Sequence, residues 1–303
     1  MNSVRVGFQL TGEHERDPLA AARRAEELGF DILLASDHVG PGPAPLPMLA
    51  AMAAVTTTIR LGTFVLNNDM RNPVQLAWEA ATIDRLSNGR FELGLGAGHT
   101  PQEYAATGLD MSSGLERKAR LAESVEIIRQ LLDGSPVDFD GVHYHVRDAQ
   151  IDAAAQERVP ILVGGNGTRL LAHAGRHADI IGFQGLGRTA GDGHSHGVRW
   201  DTDWLDAQVG QVRDGAGDRF DQVEMNALVQ VVEVTDDRGA ALSRVCDRVR
   251  GLSIDDAAVI PYILVGSIDE IVQQMRAGKE RWGISYYVVR ELDAFRPILE
   301  ALG

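Results

Sequence analysis

Repetition constrains this chain more than any single motif does. Eight times a short apolar run rich in β-branched residues gives way to a stretch with helical spacing. The runs fall at 4–10, 31–35, 60–66, 90–95, 160–163, 179–183, 224–232 and 285–289. The helical stretches fall at 20–28, 47–57, 73–86, 115–132, 168–175, 202–216, 237–250 and 292–302, with one more at 268–281. Alternation of this kind calls for a parallel sheet. Eight such units in 303 residues favour a closed (β/α)8 TIM barrel over an open doubly wound sheet. No low-complexity linker breaks the pattern, so 1–303 reads as a single domain.

Three segments fall outside the repeat. Residues 137–146, with Asp140-Gly141 at their centre, read as a β-hairpin. Residues 185–198 are rich in Gly and His and read as a loop, and 252–265 separate two helical stretches. Insertions after barrel strands hang over the C-terminal face, where ligands bind. On that view 183–200 and 252–265 line the site.

Composition removes several function classes. With 43 acidic and 29 basic residues the formal charge is −14, which argues against a nucleic-acid partner, although a local basic pocket can still hold one phosphate. No apolar run reaches the roughly 18 residues a membrane span needs. Met1-Asn2-Ser3 enters the first run with no signal-peptide core, so the expected location is the cytosol. Cys246 is the sole cysteine, which rules out an intramolecular disulfide and a cysteine-based metal site.

The candidate chemistry sits where runs end. Asp37-His38 follows the second run, at the expected C-terminal rim; a histidine there can exchange a proton near neutral pH, and a carboxylate can fix its tautomer or a ligand hydroxyl. A solvated rim loop is the plainer reading. The fourth run, Phe91-Glu92-Leu93-Gly94-Leu95, leads into Gly96-Ala97-Gly98-His99, either a tight turn or a place where a ligand approaches backbone without side chains in the way. Gly164-Gly165-Asn166-Gly167-Thr168 precedes a helix, which suits an anion at the helix start or a plain cap. His143 with His145, and His194 with His196, have spacings that a metal could use, but the first pair lies on a hairpin strand with no carboxylate evidently placed to complete it, the second sits in a Gly-rich stretch that reads as flexible, and no metal is expected. His173 and His177 read as surface or packing residues. No P-loop, dinucleotide fingerprint or nucleophile elbow occurs.

Ser36-Asp37-His38, the 59–98 block, residues 161–179 and Val265-Gly266-Ser267-Ile268-Asp269-Glu270-Ile271 together resemble the luciferase-like monooxygenase superfamily, and within it the coenzyme F-420 (deazaflavin) branch, over essentially the whole chain. The resemblance implies that Asp37 and His38 face the deazaflavin ring. It implies a non-prolyl cis peptide behind that ring, between Phe64 and Val65. It further implies that Gly96, Ala97, Gly98, Gly164, Gly165, Asn166, Gly167 and Thr168 hold the ribityl-phosphate portion. The implied reaction is hydride transfer to or from a small organic substrate, with His38 and then His99 as candidate proton carriers and a homodimer as the expected assembly. Related sugar-phosphate dehydrogenases carry Glu at the His99 position, and their phosphate-binding lysines have no clear counterparts here, so a glucose-6-phosphate-type substrate is not expected. An FMN-dependent monooxygenase is the alternative within the fold, and a non-catalytic cofactor-binding barrel the alternative outside enzymology.

Overall fold

Strand pairing closes the sheet on itself. In the computed structural model, which describes residues 4–189 and 196–303, the barrel strands are Arg5–Leu10, Ile32–Ala35, Arg60–Thr63 continued by Leu66–Asn67, Phe91–Gly96, Ile161–Gly164, Ile180–Phe183, Glu224–Leu228 and Ile284–Val289. Each lies parallel to the next, and the eighth returns to the first with Arg5 opposite Tyr286. This is the expected TIM barrel.

Both faces of these strands are buried, and side chains alternate between them. In the second strand Leu33 and Ala35 pack outward under the helices, while Ile32 and Leu34 join Phe64, Leu162, Ile180, Leu228, Tyr286 and Val288 in a separate inner cluster. Local signals fix the helices between them. Asn72 caps helix Pro73–Leu86 by accepting from the Val74 and Gln75 amides, and Pro73 fills the first turn, where its missing N–H costs nothing. Ser267 and Glu270 form a reciprocal capping box on Ile268–Trp282.

The N-terminal mouth is plugged by ions. Arg5, at the start of the first strand, reaches Glu92 at 2.7 Å and Glu224 at 2.5 Å, and its guanidinium lies 3.8 Å above the Tyr286 ring. Arg60 adds a 2.7 Å bond to Glu92, which is almost fully buried.

Local differences from the sequence reading have identifiable causes. The apolar run at 60–66 is interrupted at Phe64–Val65 by the cis peptide that the family resemblance implied. Across the break the Thr63 hydroxyl donates to the Gly94 carbonyl at 2.9 Å and accepts from its amide at 2.8 Å. Gly94 is required there, since a Cβ would collide with the Thr63 carbonyl oxygen. The apolar run at 224–232 splits after Leu228. Val231–Val234 leaves the barrel and pairs in parallel with Ile263–Gly266. Residues 252–265 therefore form helix Ile254–Val259 and this outer strand instead of a loop over the site. The hairpin pairs Val137–Asp140 with His145–Ala149, so its turn begins at Gly141. A short helix, Pro101–Thr107, stands where the repeat has none.

Candidate functional site

At the C-terminal mouth the strand ends surround a cavity of about 570 Å³. Its floor is the break in the third strand, Phe64 and Val65, joined by Leu228 from the seventh strand. Glycines let that floor form: a Cβ on Gly96 would come within 2.6 Å of Val65 Cγ2, and one on Gly164 within 3.2 Å of Val65 Cγ1. Gly98 has φ +72, and a side chain there would meet Asn67 and the Tyr104 hydroxyl. The glycines after strands four and five thus make room for the bulge and leave backbone facing the cavity.

One wall carries proton chemistry. His38 Nδ1–H donates to Glu103 Oε1 at 2.7 Å; the His38 side chain is 62% exposed and that of Glu103 only 10%. A carboxylate accepts and never donates when ionised, so this bond puts the neutral imidazole's proton on Nδ1 and leaves Nε2 to accept or deliver one. The His99 ring stands edge-on to His38 with centroids 6.2 Å apart. Asp37 also lines the cavity, but its carboxylate is committed. It accepts from Arg71 at 2.5 and 2.9 Å and from the Asn67 amide at 2.8 Å. Asp37 thereby anchors the continuation of the third strand, and the carboxylate that holds His38 is the one at 103.

The opposite corner is cationic. Arg117 and Lys118, from the first turn of helix Gly114–Leu132, reach the cavity beside Gly164, Gly165 and Asn166. Arg117 donates to the carbonyls of Ala97, Gly98 and Ser112, and Lys118 to the Asn166 carbonyl at 2.8 Å. Among the described residues neither has a carboxylate within ion-pair distance. Burial, and then the neighbouring Arg117 charge, pull the Lys118 pKa below its ordinary value. Two adjacent, half-buried cations satisfied only by neutral oxygens form a place for an anionic group. Behind them Tyr104 donates to Asp69 at 3.1 Å, and Arg120 reaches the same carboxylate at 2.8 Å. Burial, with Asp69 next, raises the Tyr104 hydroxyl to about 12.

The structure brings together Asp37, His38, Phe64, Val65, Gly96, Ala97, Gly98, His99, Gly164, Gly165 and Asn166 around this cavity. Gly167 and the exposed Thr168 begin the helix behind it and do not line it. Sequence reasoning missed Glu103, Arg117, Lys118, Gln9 and Arg290. Thr100-Pro101-Gln102-Glu103 carries a helix-start signal that would have placed Glu103 one turn past His99. Nothing local marks Gln9 or Arg290. His145 bonds Asp140 at 2.7 Å on the exposed hairpin, and His194 lies outside the described residues. His173 and His177 stack at 4.5 Å with Glu126 3.7 and 3.8 Å away, a metal-capable trio on the outer helices and away from the cavity.

A model of the family described as luciferase-like monooxygenase matches residues 4–193. The F-420-dependent glucose-6-phosphate dehydrogenase of Kribbella flavida is 31% identical over 99% of this chain and 90% of its own length. The chain belongs to the luciferase-like monooxygenase family. Another relative with that dehydrogenase name, from Amycolatopsis mediterranei, is 37% identical over 58% of this chain and 56% of its own length, so the match spans just over half of that protein. Among solved structures, an F-420-dependent secondary alcohol dehydrogenase with an F-420–acetone adduct superposes with TM-score 0.76 at 20% identity over 99% of both chains. A riboflavin lyase with modified FMN gives 0.74 at 16% identity over 99% of this chain and 91% of its own. Members of this fold thus hold either a deazaflavin or a flavin, and the fold by itself does not choose. The expected break at Phe64–Val65 is present in the family member described here.

Proposed function

We propose that this protein is a coenzyme F-420-dependent oxidoreductase that moves a hydride to or from a small organic substrate at the C-terminal mouth of the barrel. The observation that carries this reading is the full-length likeness to the Kribbella flavida enzyme. The cavity fits the cofactor class. An apolar floor at Phe64–Val65 suits a flat ring, and Arg117 and Lys118 beside Gly164–Asn166 suit a phosphate group. When bound, the deazaflavin supplies a ring carbon that accepts or releases the hydride. His38 Nε2 handles the proton that accompanies interconversion of an alcohol and a carbonyl, or of comparable groups, and Glu103 positions that imidazole. The exposed His99, just past the end of the fourth strand and edge-on to His38, is the second candidate.

Titration of the purified protein with coenzyme F-420 and with FMN, followed by fluorescence quenching, tests the reading. Micromolar binding of F-420 alone supports it, and preferential FMN binding shifts the protein to the oxygen-using branch. Binding of neither sinks the cofactor assignment. We further propose that the protein works in the cytosol as a homodimer. Among the described residues no helix is long and apolar enough to cross a membrane. Trp78 and Leu86 leave helix Pro73–Leu86 with exposed apolar surface, 60% and 57% accessible, which a second copy would cover; light scattering on the purified protein decides.

A further inference from the structure

The cavity holds a third cation that the coenzyme's phosphate corner does not explain. Arg290 follows the eighth strand and lines the cavity with Gln9, Gln184, Leu228 and Phe64. Its Nε–H donates to Gln9 Oε1 at 2.9 Å and its Nη1–H to Gln230 Oε1 at 3.3 Å. Each glutamine turns its amide nitrogen the other way, Gln9 to the Phe64 carbonyl at 3.2 Å and Gln230 to the Gln184 carbonyl at 3.2 Å. The network therefore fixes which face of each amide meets the arginine. It orients the guanidinium without neutralising it. The neighbouring Glu291 carboxylate turns onto the Arg290 backbone amide at 3.0 Å, and among the described residues no carboxylate forms an ion pair with the Arg290 guanidinium. Nη2 has no hydrogen-bond acceptor among the described residues. Burial pulls the Arg290 pKa down, against a smaller opposing pull from Glu291.

We propose that Arg290 is the anchor for the substrate, and that the substrate is a small organic monocarboxylate. This rests on the oxidoreductase reading of the same cavity. A planar guanidinium with uncommitted N–H groups matches a carboxylate fork, and it is far less suited to a neutral alcohol or ketone. One cation balances one negative charge; a phosphomonoester dianion would call for more positive charge than this wall offers. Through Gln9 the guanidinium is tied to the Phe64 carbonyl, at the bulge that forms the cavity floor. A carboxylate held there is placed over the floor on which the coenzyme's ring is read to lie, so the same residue would set both charge selection and reach.

The test uses benzoate and benzamide, which match in shape and differ in charge. Each is titrated into the wild type, Arg290→Gln and Arg290→Lys by calorimetry, with and without saturating oxidised F-420. The expected result is a wild-type preference for benzoate of about tenfold or more, in line with a charge-assisted hydrogen-bond pair. Arg290→Gln loses the preference, Arg290→Lys keeps part of it, and the F-420 affinity of both variants stays at the wild-type value. Equal binding of the two probes by the wild type, or benzoate binding unchanged in Arg290→Gln, overturns the anchor. A fall in F-420 affinity in Arg290→Gln overturns it too, since the arginine would then serve the coenzyme. Inorganic phosphate or glucose 6-phosphate outcompeting benzoate overturns the choice of a carboxylate. Should F-420 fail to bind the wild type, the underlying functional reading falls, while the two probes on the apoprotein still decide the anion site.

Discussion

The two mouths of the barrel treat cations in opposite ways. At the N-terminal mouth Arg5 and Arg60 close onto Glu92 and Glu224, carboxylate against guanidinium at 2.5 to 2.7 Å. At the C-terminal mouth Arg117, Lys118 and Arg290 rest on carbonyl and amide oxygens. Arg71 is the informative exception, being paired with Asp37 to hold the third strand's continuation in place. Arg5, Arg60 and Arg71, which hold strands in place, have carboxylates, whereas the cavity-facing Arg117, Lys118 and Arg290 have only neutral partners. A paired charge is silent toward ligands; an unpaired and partly desolvated one recruits them.

The largest expected effect lies at the closed mouth. Glu92→Gln leaves the half-buried Arg5 and Arg60 with one carboxylate fewer between them, and should destabilise the protein by about 3 kcal/mol, near the low end for breaking a buried pair because both arginines keep solvent contact and Glu224 remains. Urea unfolding measures this. The F-420 affinity of the folded fraction should be unchanged. A loss under about 1 kcal/mol would mean the ion plug is as weak as a surface pair, and the contrast between the mouths would collapse.

Substitution at the open mouth should show the reverse pattern. Lys118→Met removes a cation that is desolvated and not neutralised, so the apoprotein should be as stable as the wild type or slightly more so. F-420 affinity should fall about tenfold to a hundredfold, the value of one charge-assisted hydrogen bond to an anionic group. If Lys118→Met instead unfolds the protein at much lower urea with coenzyme affinity intact, the residue serves the fold after all.

Glu103→Gln tests positioning within the open mouth. A glutamine keeps the volume and can still accept from His38 Nδ1, but it is neutral and can also present its NH2 group, so the imidazole loses its enforced tautomer. The turnover number should fall about tenfold, equivalent to about 1.4 kcal/mol on the barrier, with KM and coenzyme affinity little changed. Glu103→Asp should recover less than half of that loss, because the shorter side chain cannot span the 2.7 Å contact from the same backbone. A rise in KM with unchanged turnover would place Glu103 in substrate binding.

Much of this contrast was open to reading from sequence on one side only. The barrel was legible because eight buried strands impose a local rhythm, and the glycine loops were legible as Gly-rich runs at strand ends, where a Cβ would meet the Val65 side chain at 96 and 164 and Asn67 with Tyr104 at 98; the bulge itself was implied only by the family resemblance. The rim residues Asp37 and His38 were found, but not what each does. The partner of His38 is 65 positions away, and the neighbouring Asp37 is claimed by Arg71, 34 positions on. Gln9 and Arg290 lie at opposite ends of the chain, 281 positions apart, and meet only because the eighth strand pairs with the first. Whether a charge is paired is decided by closure of the barrel, which no window of sequence contains.

The outer helices show a third treatment, in which charge is refused. His173 and His177 stack between helices Gly114–Leu132 and Thr168–His177, and burial, with the neighbouring His177 next, lowers the His173 pKa to about 4. The unfolded chain binds this proton near pH 6.5 and the folded one only near 4, so between those values the unfolded state holds more protons and stability falls as pH falls. The contribution is fully present above pH 6.5 and lost progressively toward pH 4. His173→Gln retains a side-chain donor for the Ala122 carbonyl and removes the titration. The variant should therefore lose less stability than the wild type between pH 7 and pH 4.5. The expected difference is about 1 kcal/mol, well under what a fully desolvated, isolated imidazole would lose, because the ring keeps some solvent contact and shares its environment with His177. Urea midpoints at the two pH values give the answer directly. Parallel pH profiles in variant and wild type would mean that the flank tolerates a proton as readily as water does, and the contrast would then rest on the two mouths.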